Sequence, residues 1–156
     1  MSSISAGTSA GTALVSTGDV TGSLVFKTGA SATTALTLDT AQNATFSGGY
    51  TESVVAIGTV TTSNTLSVAA GTVQTATLTA STACTFTMPA AVAGKSFILL
   101  LKQAATTGNG TATFTSVKWG SAGAPTITAT AGKMDILSFI SDGTNWYGNI
   151  AQGYTP

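Results

Sequence analysis

Five carboxylates are the side chains of this sequence best suited to acid–base chemistry, because histidine is absent. They are Asp19, Asp39, Glu52, Asp135 and Asp142. General acid–base catalysis needs such groups held at defined positions. Asp19 and Asp39 lie among turn residues, and Asp142 lies at a predicted hairpin corner, where aspartate caps the backbone. Asp135 is close enough along the chain to pair with Lys133. We therefore expect turn and surface carboxylates, and a protein that is not an enzyme.

The single cysteine, Cys84, shares one face of an alternating run with Phe86 and Met88. A small thiol at such a position predicts a buried apolar side chain. A nucleophilic cysteine needs an activating neighbour, and the chain has no histidine to provide one. Clusters of cysteine, histidine and acidic residues that would hold a metal are also missing. The stretch at 108–110, Gly-Asn-Gly, lacks the third glycine and the helix of a dinucleotide-binding motif. The sequence thus predicts neither a metal nor a cofactor.

Charge is scarce in this chain of 156 residues, of which only 6% are charged and the formal net charge is zero. A typical domain has about 25% charged residues. Arginine is absent, and the lysines are scattered at Lys27, Lys95, Lys102, Lys118 and Lys133, so no basic stripe exists for nucleic acid. A surface with so little charge is poorly protected against association. We expect other subunits to cover it.

The elements that must position these residues are predicted to be strands. Threonine, with 32 copies, suits a pleated and half-exposed surface, and no segment has a helical period with caps. Short alternating runs over residues 51–156 predict an all-β fold, an antiparallel β-sandwich or jelly-roll-like domain. Asp142-Gly143 between two apolar runs predicts a hairpin. The predicted core contains Phe86, Met88, residues 97–101 (a strand covered on both faces), Phe139 and Ile140.

Residues 1–50 predict an extended N-terminal arm of short β repeats. Their apolar clusters are small, and Leu24, Leu36 and Phe46 recur at intervals of 12 and 10 residues between turn signals. With few large side chains, this arm cannot build a core alone. We expect it to contact a partner through Leu24, Val25, Phe26, Leu36, Leu38 and Phe46.

Two surface patterns have alternative interpretations. Thr-x-Thr pairs, such as Thr85 with Thr87 and Thr111 with Thr113, resemble the ladders of ice-binding solenoids, but they lack a fixed spacing, which favours ordinary strand exposure. The aromatic residues near the C-terminus, Trp146, Tyr147 and Tyr154, lie beside polar loops. They are core anchors, interface residues or a surface that binds sugars.

The C-terminal region resembles bacteriophage virion-surface proteins. The resemblance is carried by DGTNWYG at 142–148, by ITATAGKMD at 127–135 and by the final YTP. In addition, TALTLD at 34–39 followed by NATF at 43–46 is similar to the short β repeats of tail-fibre shafts. The resemblance implies a homotrimer and brings no catalytic residues.

The short arm and single domain are closer in outline to a capsid decoration (cement) protein than to a long fibre. We therefore expect a protein of the outer virion surface that binds the major capsid protein or other virion proteins. A short tail or head fibre subunit that binds host glycans is the alternative, and a depolymerase would have to use the five carboxylates. The N-terminus has no signal-peptide pattern and no run is long enough for a membrane helix, so we expect synthesis in the host cytoplasm and no membrane partner.

Overall fold

The structure is a computed structural model that describes residues 22–28 and 30–156. In that part of the chain every regular element is a β-strand, so the fold is all-β, as predicted, and it is built from several sheets. The chain divides into two compact units, Met1–Thr51 and Glu52–Pro156. Asp19 lies outside the described residues.

The described part of the first unit is a three-stranded antiparallel meander. It consists of β1 (Leu24–Thr28), β2 (Thr33–Leu38) and β3 (Ala44–Phe46), in that order across the sheet. The turn before β3 is closed by the Asp39 carboxylate, which accepts hydrogen bonds from the main-chain N–H groups of Ala41 and Asn43 at 2.9 Å. None of the described residues up to Thr51 is buried.

The second unit contains nine strands in two sheets. They are β4 (Val54–Val60), β5 (Ser63–Thr65), β6 (Val73–Leu78), β7 (Ala83–Thr87), β8 (Ser96–Lys102), β9 (Thr111–Phe114), β10 (Val117–Lys118), β11 (Met134–Ser141) and β12 (Trp146–Tyr154). A six-stranded sheet has the order β10-β12-β11-β8-β6-β4, and a three-stranded sheet has the order β5-β7-β9.

The first six of these strands follow a β-solenoid-like path. Consecutive strands alternate between the two sheets, so that β4, β6 and β8 pair in parallel in one sheet, and β5, β7 and β9 pair in parallel in the other. Corner hydrogen bonds link successive turns, for example from the Thr79 N–H to the Val60 carbonyl at 3.1 Å. Each turn thereby stacks its main chain on the turn before it.

Within the second unit, the predicted antiparallel pairing holds only for β8, β11 and β12. Alternation along a strand shows which side chains point to the core, but it carries no information on the direction of the neighbouring strand. The Gly-Asn-Gly stretch at 108–110 lies at a corner between β8 and β9, which belong to different sheets. The hairpin predicted at Asp142-Gly143 does join β11 to β12.

One core lies between the two sheets of the second unit. Phe97 stacks on Phe139 with ring centroids 4.8 Å apart, and Phe114 from the smaller sheet lies 5.5 Å from Phe139. The predicted core residues Cys84, Phe86, Met88, Phe97, Leu99, Leu101 and Phe139 are all buried. The prediction was wrong for Ile98 and Ile140, which are 40% and 58% exposed. Both point away from the core, on the opposite side of their strands from Phe97 and Phe139.

Candidate functional site

Two of the described carboxylates cap turns. The Asp142 carboxylate accepts hydrogen bonds from the N–H groups of Asn145 (2.7 Å) and Thr144 (2.8 Å), and from the Tyr147 hydroxyl (2.9 Å). These bonds, those of the main chain most of all, lower the pKa of Asp142 to about 2. Bonds from Asn43 likewise lower the pKa of Asp39. Both groups are therefore held as carboxylates that stabilise a turn.

Asp135 does not make the predicted pair with Lys133. Its side chain is only 1% exposed and accepts hydrogen bonds from the main-chain N–H groups of Thr128 at 2.7 Å and Gly153 at 2.9 Å. The Lys133 ammonium donates to the Thr155 hydroxyl instead, at 2.6 Å. Asp135 thus fastens the 126–130 loop and the end of β12 to β11.

Cys84 is buried, and that burial raises the pKa of its thiol. The described residues contain no group of three or more cysteine, histidine or acidic side chains that could hold a metal ion. In the same part of the chain, no helix is long and apolar enough to cross a membrane.

The three aromatic residues predicted as a surface-recognition set are divided between core and surface. Trp146 is 2% exposed and donates its indole N–H to the Pro89 carbonyl at 2.8 Å, so of the predicted alternatives it is a core anchor and not a surface-recognition residue. Tyr147 and Tyr154 are exposed. The hydrogen bond to Asp142, together with the negative charge of that carboxylate, raises the pKa of Tyr147.

An uncovered apolar surface of the second unit is the side of the six-stranded sheet that points away from the core, which we call the outer face. Register pairs Val54 with Val73, Val73 with Ile98, and Ile140 with Tyr147, so these side chains lie in neighbouring rows. Val54, Ile98, Ile140 and Tyr147 are exposed. A groove of about 480 Å³ crosses this face, with Glu52 among its lining residues.

Sequence reasoning missed the outer face because it assigned residues 97–101 to a strand covered on both sides. A continuous apolar run is typical of such a strand. In this structure nothing in the described part of the second unit covers Ile98. The run was therefore the sequence signal for an uncovered apolar face, since a sheet face exposed to water usually carries polar residues in alternation with buried ones.

The first unit places the six predicted arm contacts on its meander. In the strand register, Leu24 pairs with Leu38, and Phe26 pairs with Leu36. Leu36 also pairs with Phe46 on its other side. These five residues share one side of the sheet, and Val25 points to the other. None is buried, and Phe46 also contacts the Tyr50 ring at a centroid distance of 5.6 Å. The arm thus presents a contiguous apolar side.

The outward side of the three-stranded sheet carries a ladder of hydroxyl groups. Ser63, Thr85 and Thr113 are register partners, and the Thr113 and Thr85 hydroxyls are 3.3 Å apart. Unequal turn lengths hide this alignment in the sequence. The aligned ladder is three strands wide, so an ice-binding surface here would present few hydroxyl groups.

Comparison of the chain with protein-family models, with curated proteins and with solved structures gives no match. The function is therefore argued from the geometry of the outer face and of the arm.

Proposed function

We propose that this chain is a non-enzymatic structural protein of a bacteriophage particle, a capsid decoration (cement) protein that stabilises the mature head. The observation that carries the proposal is the uncovered apolar outer face of the six-stranded sheet. Soluble monomers rarely leave a contiguous apolar patch of this kind exposed, and a rigid sheet that displays one is suited to permanent contact with other subunits.

In this proposal the outer face joins copies of the chain into a homotrimer. The two sheets of the second unit enclose one core, in the manner of a sandwich, and form the rigid body of each subunit. Fully burying an isoleucine stabilises by about 1.5–3 kcal/mol. Much of the Ile98 and Ile140 side chains is still exposed in the single subunit. Burying them between subunits would therefore add a large part of that stabilisation to the assembly.

The arm supplies the contact with the major capsid protein or another virion protein. Its meander has no buried residue of its own among those described, so a partner surface is needed to cover Phe26, Leu36 and Phe46. Within the described residues, β1 and β3 are the edge strands of this sheet, and an edge strand can pair with a strand of a neighbouring sheet. A protein that binds only the mature lattice stabilises that lattice by mass action.

The test is the copy number of this protein in purified phage, measured against the major capsid protein by quantitative mass spectrometry. A ratio of the same order as the capsid protein supports decoration of the shell. A few tens of copies or fewer per particle would contradict it and would place the protein on a tail or a vertex.

A short tail or head fibre subunit that adheres to host glycans is the second candidate. Exposure of Tyr147 and Tyr154 favours it, because an accessible phenol ring can lie against a sugar and hydrogen-bond to it. Binding of the purified protein to whole host cells, lost when both tyrosines are replaced by alanine, would support this candidate. If the unaltered protein does not bind host cells, the fibre candidate is excluded.

A further inference from the structure

A second groove, of about 500 Å³, lies beside β12 and the loop of residues 120–126. We call it the Trp119 groove. Trp119, Pro125 and Ile150 supply apolar lining, and Gln152 supplies a side-chain amide. Asn149 also borders the groove, but its side chain lies on the outer face, because Asn149 pairs with Ser138 as Tyr147 pairs with Ile140. It shares only Gly148 and Asn149 with the groove on the outer face.

The Trp119 ring is held in place by the core below it. Its centroid is 5.9 Å from that of Phe114 and 6.0 Å from that of Phe139, both at steep interplanar angles. The ring also lies against Gly148, where a Cβ atom would come within 2.6 Å of it. A half-buried indole fixed in this way loses little side-chain freedom when a ligand stacks on it.

Two polar groups of this groove make no hydrogen bond within the described residues. They are the indole N–H of Trp119 and the amide oxygen of Gln152, whose nitrogen donates to the Thr126 carbonyl at 2.6 Å. Trp119 is half-buried and has no buried atom without a partner, and Gln152 is exposed, so a ligand can reach both residues. The groove therefore offers both donors and acceptors beside an apolar ring.

No charged side chain lines the Trp119 groove. An anionic ligand would lose its hydration there without gaining a cation. The free groups match a ligand that has one apolar face and several hydroxyl groups, each both a donor and an acceptor. We propose that the Trp119 groove binds a neutral saccharide, with a sugar ring against the Trp119 indole and its hydroxyls bonded to the Gln152 amide oxygen and the indole N–H. This inference does not rest on the capsid role.

The experiment is saturation-transfer difference NMR on the full chain with a panel of sugars at about 10 mM, since so open a site implies a Kd on the order of a millimolar. The panel contains glucose, galactose, mannose and N-acetylglucosamine, their disaccharides, and sialyllactose as the anionic probe. We expect transfer to at least one neutral sugar. Transfer to none of them, or to sialyllactose alone, would overturn the proposal.

Variants then locate the bound sugar. Trp119→Phe keeps a ring against Phe114 and Phe139 but removes the indole N–H and part of the stacking surface, and Gln152→Ala removes the amide oxygen. Each should weaken binding about tenfold, the effect of one hydrogen bond. Val92→Ala, at an exposed residue that lines neither groove, is the control and should leave the affinity unchanged. Binding that is kept in Trp119→Phe but lost in Tyr147→Ala would place the sugar on the outer face and refute the site.

Discussion

Asp135 is a buried carboxylate whose partners are main-chain N–H groups rather than a cation. The two donors belong to Thr128 and Gly153, which lie on different segments. A carboxylate is acceptor-only when ionised, so it suits a position between two donors, and its isosteric amide does not. Local chemistry at single residues thus holds together segments that are distant in the chain.

Asp135→Asn should destabilise the second unit by about 1–3 kcal/mol, because one amide position would place a donor against a main-chain donor. Urea unfolding followed by tryptophan fluorescence measures the loss. Glu52→Gln, at a carboxylate without a hydrogen bond to the described residues, is the control and should change stability by less than about 0.5 kcal/mol. Equal effects of the two substitutions would show that the Asp135 bonds contribute nothing.

The Asp142–Tyr147 pair gives the hairpin a defined acid response. The pKa of Asp142 is about 2 in the fold, below its value of about 3.9 in an unfolded chain. The stabilisation by this carboxylate is therefore fully present above pH 4 and is lost as the pH falls toward 2.

Asp142→Asn should lower the pKa of Tyr147 toward its ordinary value, because the substitution removes the negative charge and the acceptor that favour the neutral phenol. An NMR titration of the tyrosine rings at alkaline pH measures the change. Asp39→Asn, which removes a turn-capping carboxylate of the first unit, is the matched control and should leave the Tyr147 titration unchanged. An unchanged Tyr147 titration would mean that the hydrogen bond is not formed in solution.

At the scale of elements, the corners of the solenoid-like path are where close backbone approach is required. Gly110, just before β9, lies against the C-terminal end of β6. A Cβ atom on Gly110 would come within 2.8 Å of the Leu78 Cβ and 2.9 Å of the Thr79 carbonyl oxygen. The buried side chain of Gln103 fixes the same corner. Its amide nitrogen donates to the Gly110 carbonyl, and its oxygen accepts from the Gly110 N–H.

Gly110→Ala should destabilise the second unit by about 1–3 kcal/mol, because the added methyl group forces the corner away from β6. Gly120→Ala is the matched control, since no atom lies within 4 Å of the Cβ position there. Thermal unfolding of the two variants provides the comparison. If both unfold at the temperature of the unaltered chain, the corner is less tightly packed than the structure shows.

At the scale of the whole molecule, the two units differ in what they can do alone. All of the buried apolar residues in the described chain belong to the second unit. A unit with its own core folds by itself, whereas a meander without one requires a partner. Assembly and capsid binding should therefore be separable by mutation.

Ile140→Lys should shift the protein toward monomers, since it places a charge in the middle of an apolar contact that a trimer would bury. Light scattering after size-exclusion chromatography measures the mass. Thr113→Lys adds the same charge to the outward side of the other sheet and should leave the mass unchanged. If the unaltered protein is monomeric at all concentrations, assembly through the outer face is refuted.

Deletion of residues 1–46 should leave a folded second unit that no longer binds capsids. Its unfolding should remain cooperative, because the core is intact. Binding is measured by co-sedimentation with particles that lack this protein. Full decoration by the truncated chain would show that the arm is not the capsid contact.

The sequence by itself determined that the described part of the chain is all-β, that Cys84, Phe86 and Phe97 are buried, and that Asp142 caps a hairpin. These features follow from local rules, namely alternation, β-branched composition and turn chemistry. The short strands of the arm were also visible as apolar clusters between turn signals.

Only the tertiary structure decided which strands are parallel, that Trp146 is a core residue, and that Ile98 and Ile140 face outward. The direction of a strand depends on the connections before and after it, and these connections differ in length. The register partners Val54 and Val73, for example, are closer in sequence than the register partners Val73 and Ile98. Whether the second side of an apolar strand is covered depends on what packs there, and alternation within one strand cannot report it. The Trp119 groove likewise exists because residues 119–126 fold beside β12, far from them in sequence, and Gly148 leaves room for the indole.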